Sequence, residues 1–163
     1  MLDTLRNFAE VGIAIAGFSG IAAALNRQLD LAPGGGDRTS LFILLETAGL
    51  VVLFSLLPQV LSESRLFEVS LWRVSLLAYA LLHLGHALLL RRRRILAVGI
   101  GPPVYRPLVY GGGFVLVLQF AVGFTAGNEA LRLTYLAALC WHVVVAGVSF
   151  ALLVTSGSRG AAA

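Results

Sequence analysis

The chain has 163 residues, of which 58% are hydrophobic and only 12% are charged, with a net charge of +4 and a mean hydropathy of +0.90. Soluble domains contain about 25% charged residues, so this composition excludes a globule covered by a water-soluble surface. All 12 basic residues are arginines, and they flank apolar segments as in membrane proteins, which argues against a nucleic-acid partner. The single cysteine, Cys140, excludes a disulfide within the chain and a four-cysteine zinc site.

Five apolar stretches are long enough, or nearly long enough, to cross a membrane as helices. About 20 apolar residues span the roughly 30 Å of hydrocarbon. The sequence therefore predicts an all-α, polytopic integral membrane helical bundle with five transmembrane helices. They form one domain over residues 1–156, followed by a disordered tail over 157–163. The predicted helices cover residues 7–25, 41–61, 69–90, 107–126 and 131–154.

The arginines between these stretches indicate which side of the membrane each loop faces. Eight lie in the linkers after the first and third helices and in the C-terminal tail, against three on the opposite side. Because arginine-rich loops stay in the cytoplasm, this bias predicts an outside N-terminus and a cytoplasmic C-terminus. We expect the membrane to be of the bacterial inner (plasma) type. Four of the eight would anchor the third helix in the cytoplasmic headgroups: Arg91, Arg92, Arg93 and Arg94.

The first predicted helix has a small residue at every fourth position: Gly12, Ala16, Gly20 and Ala24. Such a row lets two helices approach closely in lipid, so we expect it to pack against another helix of this chain or against a second copy. The same segment begins with Asp3 and Glu10 beside Arg6. That is not the positively charged start of a secretory signal peptide, so cleavage after about residue 25 is the less favoured interpretation.

Polar side chains recur along one face of the third predicted helix. At 100° per residue they fall within about 80° of arc, and they are Trp72, Ser75, Tyr79, His83 and His86. Ionisable groups in hydrocarbon normally face protein or a water-filled cavity. Glu46 lies at a comparable depth on the second helix. A Glu–His pair would lower the cost of burial and could relay protons, and the alternative is a single buried hydrogen bond that fixes the helix register.

The approach to the fourth helix contains residues that disfavour regular helix: Pro102, Pro103, Pro107, Gly111, Gly112 and Gly113. Proline lacks an N–H donor, and each glycine costs about 1 kcal/mol against alanine in a helix. Two interpretations follow. The segment is either a helix break that lines a cavity, or a tight cytoplasmic turn whose glycines allow close packing.

The fifth helix carries a second polar row with a seven-residue spacing: Tyr135, His142, Ser149 and Ser156. Trp141 lies beside it in mid-membrane, so its indole N–H needs a partner inside the protein. Two helices with polar faces would turn those faces inward. The rows then either form hydrogen bonds across a dry helix interface or line a functional polar cavity.

Histidines in a membrane also raise the question of a cofactor. His83 and His86 are close enough on one helix to share a metal, and His83 with His142 is a candidate pair of axial haem ligands. Neither an HExxH motif nor a cysteine pair accompanies them. We therefore expect no metal and no cofactor, with haem or metal as a minor alternative.

The sequence favours a proton- or ion-linked transporter or channel with a polar path on helices 3 and 5. The residues of that path, with the one from the second helix, are Glu46, Tyr79, His83, His86, His142 and Ser149. The alternative is a non-catalytic membrane scaffold or subunit that acts through helix contacts, and a lesser alternative is a b-type haem electron carrier. No nucleophile–base arrangement suggests an enzyme. The expected partners are membrane lipids and either further copies of the chain or another membrane protein.

Overall fold

In the computed structural model, residues 2–28, 35–63, 68–92 and 105–160 are described, and their regular structure is helical throughout. The five helices are α1 (Leu2–Gln28), α2 (Gly35–Ser62), α3 (Glu68–Arg92), α4 (Tyr105–Thr125) and α5 (Asn128–Gly160). The prediction of an all-α bundle of five helices is confirmed.

Four of the described helices are long and apolar enough to cross a membrane. Their apolar segments are Leu41–Ser62, Ser70–Leu89, Arg106–Thr125 and Asn128–Thr155. These segments correspond to the second to fifth predicted spans. Helix α1 has 27 residues, but the part of it whose side chains are described is not among the segments that are long and apolar enough to span. That α1 crosses the membrane therefore stays a prediction.

Helices α1 and α5 extend beyond their predicted ends. Helix α1 begins at Leu2, and its polar first turns are favoured by Asp3 near the positive end of the helix dipole and by an ion pair between Arg6 and Glu10. Helix α5 continues to Gly160, so residues 157–160, which were predicted to form a disordered tail, are helical. Residues 161–163 lie outside the described part of the chain.

Helix α2 contains an interior proline, and a side chain from α5 compensates for it. Pro58 has no N–H to donate to the carbonyl oxygen of Phe54, four residues earlier. The Tyr135 hydroxyl donates a hydrogen bond of 2.5 Å to that same oxygen. The carbonyl that the proline leaves without its helical partner is thus satisfied by a tyrosine, which is why α2 continues through Pro58 to Ser62.

Helix α4 begins just before the glycine-rich segment and is continuous through it. Pro107 is the third residue of the helix, where its missing N–H has no helical acceptor to satisfy. The residues Gly111, Gly112 and Gly113 are all helical. A break at Pro107 or at these glycines is therefore wrong, because the proline falls in the first turn and the glycines keep helical geometry. Pro102 and Pro103 lie outside the described residues.

By their contacts the residues divide into two units, Met1–Leu53 with His142–Ala163 and Phe54–Trp141. In the first unit α1 packs on α2 at Gly12, where an added Cβ would lie 3.2 Å from the Ala48 carbonyl oxygen and 2.9 Å from Val52 Cγ2. The glycine is required there because two backbones approach closely.

In the second unit α3 and α4 lie side by side. Arg73, near the start of α3, donates a hydrogen bond of 3.0 Å to the carbonyl of Ala126, just past the end of α4. One turn further along α3, Leu77 covers Gly123 so closely that an added Cβ would lie 2.6 Å from its Cδ2 atom. These pairs show that the two helices run antiparallel, with the start of one beside the end of the other.

Candidate functional site

The polar face predicted on α3 lies in the interior. Trp72, Ser75, Tyr79 and His83 are all buried, with Tyr79 at 0% exposure and His83 at 6%, whereas His86 is half-buried. Arg91 and Arg92 end the same helix, but their side chains and all of Arg93 and Arg94 lie outside the described residues. The cytoplasmic anchor therefore stays a prediction.

The first half of this polar face is an aromatic cluster. The Tyr79 ring stacks on Phe54 with 4.1 Å between centroids, and Tyr135 packs edge-on against both Tyr79 and Trp72. The Tyr79 hydroxyl donates a 3.3 Å hydrogen bond to the carbonyl of Ala138. Because both tyrosine hydroxyls bond to backbone carbonyls, the polar ends of these rings serve helix packing, as in the dry-interface interpretation.

The second half of the polar face centres on a hydrogen bond between side chains. His83 Nδ1 on α3 lies 2.9 Å from Gln119 Oε1 on α4, and both side chains are buried. The Nε2 atom of Gln119 is also buried, and it has no hydrogen-bond partner. Such atoms are normally few in folded proteins, and Gln119 Nε2 is one of several among the described residues.

The His83 ring also reaches a glycine on the same face of α4. Gly112 precedes Gln119 by seven residues, so both lie on one side of the helix, two turns apart. A Cβ placed on Gly112 would be 3.7 Å from His83 Nε2 and 3.5 Å from Trp141 Nε1. Two ring nitrogens, one from α3 and one from α5, therefore flank the same point on α4.

The preceding glycine explains how the Trp141 ring fits. A Cβ on Gly111 would lie 2.2 Å from Trp141 Cη2 and 2.5 Å from Cζ2, far inside van der Waals contact. The indole thus packs directly on the α4 backbone. Of the three glycines, Gly111 serves the close packing that the second interpretation of the sequence proposed, whereas a Cβ on Gly113 would meet no atom within 4 Å.

The orientation of the Gln119 amide, with Oε1 towards Nδ1, indicates which nitrogen of His83 carries the proton in its neutral form. With the Gln119 oxygen facing it, Nδ1 must be the donor, because an amide oxygen can only accept. Nε2 then carries the lone pair. The site is therefore a histidine whose proton-accepting atom faces Gly112 and the indole N–H of Trp141.

The remaining residues of the predicted path lie in the unit that contains α1. His142 and Ser149 of α5 are buried, at 2% and 0% exposure, and Glu46 of α2 is half-buried. The inward orientation expected of the polar row on α5 agrees with this burial. The side chain of Ser156 is outside the described residues. Pairing of Glu46 with a histidine stays a prediction.

The row of small residues on α1 is split between a packed part and an exposed part. Gly12 is buried against α2, and the Ser19 hydroxyl, also buried, donates to the carbonyl of Ala16. Gly20 and Ala24 are exposed, and a Cβ on Gly20 would meet no atom within 4 Å. The close approach of helices therefore involves only the first half of the row.

A metal centre would need several ligating side chains in one place. Among the described residues, no group of three or more histidine, cysteine, aspartate or glutamate side chains is arranged to hold a metal ion. Cys140 is exposed on α5. Haem ligation through the histidines stays an untested minor alternative.

Gln119 is a site residue that the sequence did not predict. It is the one polar residue of the apolar run VLVLQFAVGF, and an isolated amide produces no periodic pattern from which a polar helix face can be predicted. Its position inside an apolar span could have identified it as a site residue, because a buried amide in a membrane needs a hydrogen-bond partner. The chain matches no protein-family model, no curated protein and no solved structure. Any function must therefore be argued from the site itself.

Proposed function

We propose that this chain is an integral membrane protein that moves protons, or a solute coupled to protons, and that His83 is the group that binds the proton. The observation that carries the proposal is the buried hydrogen bond between His83 and Gln119 within the apolar segments Ser70–Leu89 and Arg106–Thr125. Burying a titratable side chain in an apolar segment costs free energy, and this cost favours a functional role for the residue.

Histidine is suited to this role because its unperturbed pKa lies near neutrality, so that it gains and loses a proton over the physiological pH range. The other polar groups beside it differ in this respect. Gln119 does not titrate, and the Trp141 indole only donates. The nearest further titratable side chain on the same helix is His86, one turn along α3.

The partner of His83 restricts how a proton can move. A proton that left Nδ1 would have to reside on the Gln119 amide, which is too weak a base to hold it. Nδ1 is therefore not a proton exit, and loading and unloading both occur at Nε2, the nitrogen beside Gly112. This geometry supports a histidine that is loaded and unloaded through one nitrogen rather than a continuous proton wire along α3.

The proposal includes an orientation and a membrane. The arginine bias favours an outside N-terminus and a cytoplasmic C-terminus in a bacterial-type inner membrane. Single cysteines in a Cys140→Ser background test it. Gly127→Cys, in the turn between α4 and α5 where an added Cβ meets no neighbour, should react with an impermeant maleimide on intact cells. Ala163→Cys should react only after permeabilisation, and the opposite pattern would reverse the orientation.

Proton flux into liposomes tests the proposed function. We expect the purified wild-type protein to carry a proton current driven by a potassium-diffusion potential. His83→Asn, which keeps an N–H near the Nδ1 position but cannot titrate, should reduce it to the leak of empty liposomes. Tyr79→Phe, which loses only a hydrogen bond to a backbone carbonyl, is the matched control and should retain it. Equal currents in wild type and His83→Asn would contradict the proposal.

A membrane scaffold or subunit is the second candidate, and the exposed half of α1 favours it. Gly17 and Gly20 have no neighbour within 4 Å of an added Cβ, and Phe18 between them is 62% exposed. Small residues on a bare helix face suit close approach of another helix in lipid. Crosslinking of Gly17→Cys and Gly20→Cys in native membranes would support this candidate. Absence of any adduct, together with a proton current from the purified chain, would count against it.

A further inference from the structure

We infer that Gly112 marks a binding position for one water molecule, which bonds to His83 and Trp141 and exchanges protons with the histidine. The inference rests on the proposed role of His83 and names the chemistry of its proton donor. It starts from the geometry around Gly112, where Trp141 Nε1 and His83 Nε2 lie 3.5 Å and 3.7 Å from the position that a Cβ would take.

The two nitrogens differ in hydrogen-bonding character, and this difference selects the ligand. The Trp141 indole N–H can only donate, so its partner must accept. The Nε2 atom of neutral His83 accepts, because Nδ1 donates to Gln119 Oε1. A molecule that bonds to both must accept one hydrogen bond and donate another. Carboxylates cannot donate and ammonium cannot accept, whereas water does both.

The neighbours of this position also favour a very small ligand. Gly111, the preceding residue of α4, is covered by the Trp141 ring, so a larger molecule cannot spread along the helix in that direction. Gln119 Nε2, on the same face of α4, is buried without a hydrogen-bond partner. Since buried waters typically satisfy such groups, this amide, two turns from Gly112, indicates that the interface of α3 and α4 admits small polar molecules.

The proton step balances with water alone. During loading, the water at this position gives a proton to the Nε2 lone pair while it takes one from a neighbouring hydronium, so that an N–H bond and a new O–H bond form as two O–H bonds break. The products are two neutral waters and the imidazolium of His83. During unloading the same transfers run in reverse, and the hydronium forms on the neighbouring water. Trp141 holds the oxygen in place through its N–H and neither gains nor loses a proton.

Two of the three neighbouring glycines provide a matched pair of variants. Gly112→Ala places a methyl group at ordinary contact distance from both nitrogens, so without a clash it takes up space that a water bound to them needs. Gly113→Ala adds the same methyl one residue later, where no atom lies within 4 Å, and is the matched control. Gly111→Ala would collide with the indole and is unsuitable here.

The direct readout is magnetisation transfer from water to the Trp141 indole N–H, measured by solid-state NMR in lipid. The chain has 2 tryptophans, and Trp72→Phe assigns the signal. We expect rapid transfer in wild type and in Gly113→Ala, and at least a several-fold slower transfer in Gly112→Ala. The liposome proton current should fall at least tenfold in Gly112→Ala and stay unchanged in Gly113→Ala.

The outcomes separate this inference from the proposed function. Slow water transfer in wild type, or equal transfer in wild type and Gly112→Ala, would overturn the water position whatever the currents are. Slower transfer in Gly112→Ala, without any proton current in wild type, would keep the water position and overturn the transport proposal. If transfer slows in Gly112→Ala but the variant retains the wild-type current, this water is not the proton donor of His83.

Discussion

His83 on α3 and Gln119 on α4 are joined through the imidazole Nδ1 and the amide Oε1, 2.9 Å apart in a buried interface. The hydrogen bond links two antiparallel helices in their apolar segments and sets the tautomer of the only histidine of α3 that is fully buried among the described residues. It therefore has both a structural and a chemical consequence, which mutations can separate.

Replacing Gln119 with leucine should destabilise the protein. The substitution removes the acceptor for His83 Nδ1–H and leaves that donor buried, at a cost of about 1–3 kcal/mol. His83→Leu/Gln119→Leu removes both polar groups and should recover most of that loss. The measurement is the free energy of unfolding in mixed micelles for all four members of the cycle. Additive effects of the two substitutions would show that the side chains do not interact.

Replacing Tyr135 with phenylalanine should destabilise α2 through the proline. Phe54 O would lose the hydroxyl that substitutes for the missing N–H of Pro58, at a cost of about 1–3 kcal/mol for a buried carbonyl. Pro58→Ala restores the N–H, so Tyr135→Phe should cost much less in a Pro58→Ala background. Thermal unfolding followed by circular dichroism measures this. The same penalty in both backgrounds would refute compensation between the tyrosine and the proline.

Alanine at Gly111 and at Gly113 should have opposite effects on stability. Gly111→Ala forces its methyl into the Trp141 ring, and overpacking of this kind costs about 1–3 kcal/mol. Gly113→Ala meets no neighbour and should gain up to about 1 kcal/mol from helix propensity. Trp141→Leu should make Gly111→Ala tolerable. The free energy of unfolding in mixed micelles measures each effect. A destabilised Gly113→Ala, or a Gly111→Ala with wild-type stability, would argue against this packing.

On α1, alanine scanning should divide the small residues into two groups. Gly12→Ala would push its methyl against Val52 and the carbonyl of Ala48, and we expect a loss of about 1–3 kcal/mol. Gly20→Ala, at an exposed position with no neighbour within 4 Å, is the matched control and should not destabilise the protein. The free energy of unfolding in detergent, at a concentration where the chain is monomeric, measures both. Equal effects would place the helix contact elsewhere on α1.

The helices and the polar faces were accessible from the sequence, because length, hydropathy and periodicity report on them directly. The interior position of Tyr79, His83, His142 and Ser149 followed from their spacing. Helix ends were less predictable, since α5 continues through the small residues near Gly160 that composition alone assigns to a tail.

The residues that form the site were harder to predict from the sequence, because the site depends on which side chains of different helices come into contact. Gln119 has no repeating pattern, and nothing local to Trp141 shows that it packs on Gly111. Of the two interpretations of the glycines, close packing agrees with the structure and a helix break does not. Local propensity cannot choose between the two, since the tryptophan that decides it is 30 residues away.

The central claim is that His83 donates from Nδ1 to Gln119 and exchanges its proton at Nε2. The most direct measurement is the ¹⁵N solid-state NMR spectrum of histidine-labelled protein in lipid, with His86→Asn and His142→Asn variants to assign His83. At high pH we expect His83 to be neutral with Nδ1 protonated and Nε2 unprotonated, and Nε2 to gain the proton as the pH falls. A neutral His83 that carries its proton on Nε2 would contradict the account.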